Sequence, residues 1–271
     1  YNIPFHLLMG DPAVQIRQFA KKINAGAVIT DFDPLRIKKQ WQEKVASSLS
    51  VAVVEVDAHN IVPCRIVSQK QEFGAYTLRP KIKKVLREYL TEFPALKKQT
   101  TPVSLPKAVD WQAARDSLRI DMKVPEVDWC ISGEKAAEQA LKKFIKTRLS
   151  NYDSSRNDPT KDGQSNMSPY LHFGQISAQR VALEVRSSGL ARASAQAFLE
   201  ELIVRRELSD NFCFYNSQYD SVEGFPAWAK KTLSEHRSDK REHMYDLKVF
   251  EQASTHDPLW NAAQVQLVRT G

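Results

Sequence analysis

"AVITDFDPLRIKKQWQEKVASSLSVAVVEVD", residues 27–57, decides the fold at the front of this chain. Its two ends, AVITDF and VAVVEVD, are short, nearly continuous apolar runs rich in Val and Ile. Such runs mark strands covered on both faces. Between them Asp33 and Pro34 stand at a helix start, since Asp accepts from free N–H groups and Pro has none to waste in the first turn. Strand, helix and strand within so few residues imply parallel pairing through a right-handed crossover. Working outward, IPFHLLMG (3–10) reads as a further buried strand stopped by Gly10. DPAVQIRQFAKKINAG (11–26) reads as a helix with Asp11 as N-cap, Pro12 at the first position and Gly26 as its stop. Residues 1–95 are therefore expected to form an α/β domain with a parallel, Rossmann-like sheet. They contain neither GxGxxG nor GxxxxGK[ST], so no standard phosphate loop is expected there.

Residues 91–135 change character. Pro94, Pro102 and Pro106 interrupt any period, and 96–133 reads as a connection over the surface. From Glu134 the spacing turns helical. EKAAEQALKKFIKTRLSNY places Ala137, Leu141, Phe144, Ile145 and Leu149 on one face. SAQRVALEVRSSG forms a helix ended at Gly189, and SAQAFLEELIVRRELSDNFCFYN forms another. An all-α domain over 134–271 follows the α/β one, with no internal repeat.

The 271 residues are 42% apolar and 26% charged, as in globular domains, and no apolar run is long enough to span a bilayer. A net charge of +7 favours an anionic partner, although a mildly basic balance is also common without one. Three cysteines, Cys64, Cys130 and Cys213, are far apart, which speaks against a disulfide framework or zinc site and for an intracellular protein. The chain opens at Tyr1 without an initiator Met and closes on VRTG, so a piece of a longer protein is expected.

Two stretches gather groups able to do chemistry. In QSNMSPYLHFGQIS (164–177) the small polar residues Gln164, Ser165, Asn166 and Ser168 precede an apolar run with Pro169 in its first turn. Free N–H groups at such a helix start could receive a phosphate, with the small side chains letting it approach. Ser168 as a simple cap, without ligand, satisfies the same spacing. Upstream, the polar loop NYDSSRNDPTKDG (151–163) offers Tyr152, Arg156 and Asn157 for binding, or Arg156 as one more solvated cation. In EELIVRRE (200–207), Glu201 and Arg205 are four apart and read as a pair on one helical face. Arg205 and Arg206 could also neutralise backbone phosphates. In STHDPLWNAAQ (254–264), Asp257 caps a helix with Pro258 first. Trp260 is either core or an aromatic relay beside a redox centre. His236 and His243 read as exposed.

SNMSPYLHFGQISAQR, FLEELIVRRELSDNFCFYN, SDKREHMYDLKVFEQA, THDPLWNAAQ and the TDFDPLR turn together resemble class II cyclobutane pyrimidine dimer photolyases over nearly the whole chain. That resemblance implies light-driven repair of pyrimidine dimers in double-stranded DNA by reduced FAD. A cryptochrome-like flavin photoreceptor, or an inactive fragment, is the alternative. It implies an antenna-type domain over 1–95 lacking its first strands, and the first part of an FAD-binding domain over 134–271. Tyr152 and Gln164, Ser165, Asn166, Met167 and Ser168 match residues around FAD. Arg156 and Asn157, with Arg205, Arg206 and Glu207, match a DNA-facing surface. Glu201 matches a carboxylate bonded to the dimer, and a protonated carboxyl there would donate a hydrogen bond to it. Trp260 matches one tryptophan of the chain that photoreduces the flavin. The resemblance further implies a folate or deazaflavin antenna pigment, a monomer without a membrane partner, and residence in a nucleus, DNA-containing organelle or prokaryotic cytoplasm. A Tyr-Trp helix with two more relay tryptophans would follow Gly271.

Overall fold

The computed structural model describes residues 3–98, 108–121, 124–190 and 192–270. Pro102 and Pro106 of the expected connection lie outside them. The chain divides into two compact units, Tyr1–Val109 with Ser132–Tyr219, and Asp110–Ile131 with Asp220–Gly271.

The first unit opens on helix α1 (Pro12–Lys22), whose N-cap Asp11 accepts from Val14 N at 3.0 Å. Strand β1 (Ala27–Asp31), helix α2 (Arg36–Ser48) and strand β2 (Ala52–Val56) follow, and β1 pairs with β2 in parallel, Ala27 opposite Ala52. The crossover unit read from residues 27–57 is therefore present, and an α/β beginning followed by helices is the architecture observed.

Four local details differ from expectation. The segment 3–9 carries no regular secondary structure, and Ile3 and Phe5 are exposed. A strand is held by its ladder, and apolar composition alone does not supply one. Helix α1 ends at Lys22, before Gly26, because Asn24 takes the left-handed conformation at φ 50° and breaks the helix first. Helix α2 begins after the Asp33-Pro34 pair; Asp33 Oδ1 accepts from Leu35 N at 2.9 Å in a turn that precedes it. Finally, the sheet is covered on one face only. Ile29 and Val54 sit opposite each other in the register and are 72% and 45% exposed, while Val28 and Val53 on the other face are half-buried.

Helix α3 (Ala75–Tyr89), which the sequence reading passed over, buries Leu78 and Ile82. The helical part of this unit then contains α4 (Glu134–Thr147), a short helix Tyr152–Ser155, another at Ser168–His172, α5 (Ala178–Ser187) and α6 (Arg192–Leu199). Next come a π-helical segment, Glu200–Arg205, and α7 (Arg206–Tyr215). Their core holds Leu141, Phe144, Leu149, Val181, Val185 and Phe198, the face read from the 3.6-residue period. Ser177 caps α5 by accepting from Arg180 N, and Gly189 ends that region at φ 66°. The second unit includes α8 (Ala227–Glu235) and α9 (Pro258–Thr270).

Candidate functional site

A cavity of about 420 Å³ opens in the first unit among Tyr152, Arg156, Asn157, Gln164, Ser165, Met167, Ser168, Leu171, Phe198, Glu201, Leu202 and Arg206. The turn around residue 156, the serine-rich segment just after it, Phe198 of α6, and the π segment with the start of α7 supply it.

Tyr152 is fixed by packing. The sequence places it on a polar loop, but it is buried in a short helix, its ring set edge-on to Phe144 at 5.8 Å and to Phe198 at 5.3 Å. Such edge-to-face arrangements add about 0.5–1.5 kcal/mol beyond burial. The helix carrying Phe144 ends at Thr147, and a separate short helix brings Tyr152 back against the same core, so a loop-like composition ends buried. Below it, the Ser194 hydroxyl, 1% exposed, donates to Asp153 Oδ1 at 2.6 Å and lies 2.9 Å from Ser150 O. Burial, then the nearby Glu201 carboxylate, push the Tyr152 phenol above its ordinary value, so the ring presents a neutral wall.

Arg156 is a bound side chain, not a free surface cation. Its Nη1 donates to Glu201 Oε1 at 2.7 Å and its guanidinium lies 5.7 Å from the Tyr152 ring centre. Its backbone carbonyl accepts from Gln164 Nε2, which ties the serine-rich segment to this turn. The expected Glu201–Arg205 pair does not form. The segment Glu200–Arg205 is π-helical, so residues five apart share a face. Arg205 Nε accordingly lies 3.9 Å from Glu200 Oε1, and Glu200 also accepts from Arg79 Nη2 at 2.7 Å and, on both oxygens, from Arg79 Nε at 3.0 and 3.1 Å. Glu201 is freed to face the cavity. There it accepts from Arg156.

The serine-rich segment also differs from a simple cap. Ser168 is the first residue of its helix; the cap position is Met167, and no side chain caps it. Ser165 Oγ accepts from Met167 N at 3.3 Å, and Asn166 sits left-handed at φ 57°, exposed and outside the cavity lining. This helix has only five residues, so little macrodipole is available to an anion. Positive charge comes instead from arginines. Arg156 Nε and Arg206 Nη1 are buried without a hydrogen-bond partner, and both residues line the cavity.

Arg205 is exposed and is not part of the cavity lining. Glu207, expected on a DNA-facing surface, is 2% exposed and points into the α/β part, where Oε1 accepts from Ile61 N at 2.7 Å and Val62 N at 3.3 Å. It directly follows Arg206, which lines the cavity, but a helix with 3.6 residues per turn sends neighbouring side chains to different faces, a distinction that a run of three charged residues does not show. Trp260 belongs to the second unit, where it is 37% exposed and meets Phe250 edge-on at 5.0 Å. Asp257 caps its helix as expected, accepting from Leu259 N and Trp260 N. His236 and His243 are exposed. Among the described residues no cluster of His, Cys, Asp or Glu is arranged for a metal ion, and the three cysteines are free.

Comparison with known proteins agrees with this architecture. The DNA photolyase family profile matches residues 1–98. The chain is 47% identical to a deoxyribodipyrimidine photo-lyase of Potorous tridactylus, over 99% of this chain and 51% of that protein. It is also 47% identical to one of Arabidopsis thaliana, over 100% of this chain and 57% of the relative. It thus spans about half the length of the curated relatives it matches. Among solved structures, a Synechocystis cryptochrome superposes with a TM-score of 0.69 at 18% identity, covering 97% of this chain and 55% of its own. A class III photolyase of Agrobacterium tumefaciens gives 0.66 at 20%, covering 97% and 54%. These two establish the shared fold, and with the identity to named photo-lyases along the whole chain, this chain belongs to the DNA photolyase family.

Proposed function

We propose that this chain carries one wall of the flavin pocket of a class II cyclobutane pyrimidine dimer photolyase, a lyase that repairs ultraviolet-damaged duplex DNA with light. The observation that supports it best is the convergence of Tyr152, Arg156, Gln164, Ser165, Met167, Ser168 and Glu201 on one cavity. The residues fit an anionic, flat-ringed cofactor such as FAD. Two buried guanidinium nitrogens lack partners, hydroxyl and amide groups line the same opening, and Tyr152, Phe198 and Leu202 give apolar contact. When bound and reduced, FAD supplies the photoexcited electron for cleavage of the dimer.

The protein's share is to bind, orient and exclude water. Gln164 and Ser165 hold the mouth of the cavity. Tyr152 and Phe198 form a rigid wall that keeps a ring in one plane. Glu201 stands where a flipped dimer's N–H and C=O edge could meet it, and Arg156 stands beside it to hold the strand. A dimer pairs poorly with its partner bases, so extruding it costs less than extruding intact bases. Arg205 and Arg206 add backbone contacts. We assign residues 1–95 to an antenna-type domain taking a folate or deazaflavin pigment, 96–133 to a connection and 134–271 to the flavin domain, with Trp260 in its electron relay. We place the protein in an intracellular, DNA-containing compartment, as a monomer.

The test is blue-light repair of an oligonucleotide holding a single thymine dimer, using the parent protein loaded with FAD. Loss of the dimer under light and none in darkness supports the reading. A colourless protein that takes up no FAD sinks it, and bound flavin without dimer loss assigns a photoreceptor instead.

A further inference from the structure

We infer that the groove between α3 and the α5–α6 corner, apolar inside and basic around it, is a docking site for an acidic amphipathic helix of a partner protein. The groove lies within the first unit and shares no lining residue with the cavity described above, so it adds a binding role beyond the proposed function.

The groove encloses about 690 Å³. Its apolar lining comes from Ile82 and Leu86 of α3, Val185 of α5, Leu199 of α6, and Ile203 and Val204 of the π segment. Leu190, just past α5, also lines it and is 37% exposed. Four cations share that lining: Arg79, Lys83 and Arg87 on α3, and Arg186 on α5. The three on α3 are four residues apart, so they form one row about 12 Å long. Glu200, the one carboxylate among the lining residues, is already bonded by Arg79 at 2.7 Å. Lys83, Arg87 and Arg186 are exposed, and among the described residues none of them has an ion pair. The groove therefore sets three unmatched positive charges around an apolar bed. Nucleic-acid phosphates would leave that bed wet, and a purely apolar ligand would desolvate the cations without pairing them. An amphipathic helix answers both needs. Its aliphatic residues at i, i+3, i+4 and i+7 enter the bed, and Glu or Asp on its flanks meets Lys83, Arg87 and Arg186. The π segment keeps the two sites apart: Glu200, Ile203 and Val204 line the groove, while Glu201 and Leu202 line the cavity.

The probe is a fluorescein-labelled helical peptide with leucines on one face and glutamates on its flanks. It is titrated into the parent protein by fluorescence anisotropy, in darkness and without DNA. Micromolar binding is expected, weakening as salt rises from about 0.1 to 0.5 M. Lys83→Glu/Arg87→Glu should weaken it about tenfold or more. Both side chains are exposed, and an unchanged urea midpoint verifies the fold of the double variant. The same peptide with lysines in place of its glutamates should fail to bind the parent protein yet bind the double variant, a swap that direct pairing produces. Leu190→Asp, and separately serines in place of the peptide's leucines, should each weaken binding about fivefold or more through the lost apolar contact. No binding by the parent protein, equal affinity for the double variant, or an unaffected serine peptide overturns the inference. Displacement of the probe by undamaged duplex DNA also overturns it, by making the groove a nucleic-acid surface. Because the titration uses neither light nor a dimer, a failure of the photolyase reading leaves its result intact.

Discussion

Glu207 shows how one side chain sets a pH dependence. Burial, outweighing the two backbone N–H groups it accepts and the nearby Arg206, pushes its carboxyl up to about 8. A group whose folded value lies above its unfolded one holds its proton longer when folded. Its contribution is therefore complete below about 4.5 and is lost as the pH climbs through about 8. The urea midpoint of the chain should fall between about pH 5 and pH 8 and level off above, and Glu207→Gln should flatten that fall; an equally steep fall in the variant contradicts the assignment. Glu72 has the opposite sign. Burial alone would raise it, but hydrogen bonds from Lys81 and Ser68 hold it at about 2, so its stabilisation is lost only as the pH drops from about 4.5 through 2. Neither environment was legible in the sequence. Glu207 follows two arginines and reads as one more surface charge, because its partners lie 145 and 146 residues away. What was legible was chemistry declared by a local partner: Asp11 and Asp257 cap the helices they precede because the acceptor and its N–H groups are neighbours in the chain.

At the scale of elements, the aromatic cluster of Phe144, Tyr152 and Phe198 joins α4, the short helix after it and α6. Phe144 is fully buried, so Phe144→Ala should cost about 3–5 kcal/mol, read from urea denaturation. It should also loosen Tyr152, the wall of the cavity, so flavin retention by the parent protein should fall with it. A loss under 1 kcal/mol would mean that the cluster collapses around the gap or packs more loosely than its ring spacings indicate. Helices α4, α5 and α6 were readable because their buried faces repeat at the helical period. The π segment was not. The string EELIVRRE satisfies an ordinary helix as well, and the contacts at its flanks, Glu200 to Arg79 on α3 and the start of α7 to the turn after β2, come from parts of the chain far away in sequence. The same limit explains residues 3–9. Their composition suits a strand, but only a neighbouring strand can provide the ladder.

Across the whole molecule, the formal charge of +7 is less decisive than where cations are left unmatched. Arg79, Arg148 and Arg156 are all spent on carboxylates inside the first unit. In the DNA-free protein the Arg156–Glu201 pair is electrically closed: the cation expected to hold the strand is held by the carboxylate expected to meet the lesion. Under the proposed function, engaging a dimer at Glu201 while Arg156 takes a phosphate would exchange one ion pair for two new contacts, and undamaged DNA would offer only the second. On that reading the pair would act as a filter against ordinary duplex. Glu201→Gln should release Arg156, raise affinity for undamaged DNA about two- to fivefold and steepen its dependence on salt by close to one counterion, about 0.9 in the logarithmic slope. Preference for dimer-bearing DNA should shrink accordingly. Arg156→Ala should weaken binding to both DNAs. Competition binding with matched damaged and intact oligonucleotides at several salt concentrations separates these outcomes. If Glu201→Gln leaves the affinity for intact duplex unchanged, the ion pair plays no part in discrimination, and Arg156 serves only to hold Glu201 against the cavity wall.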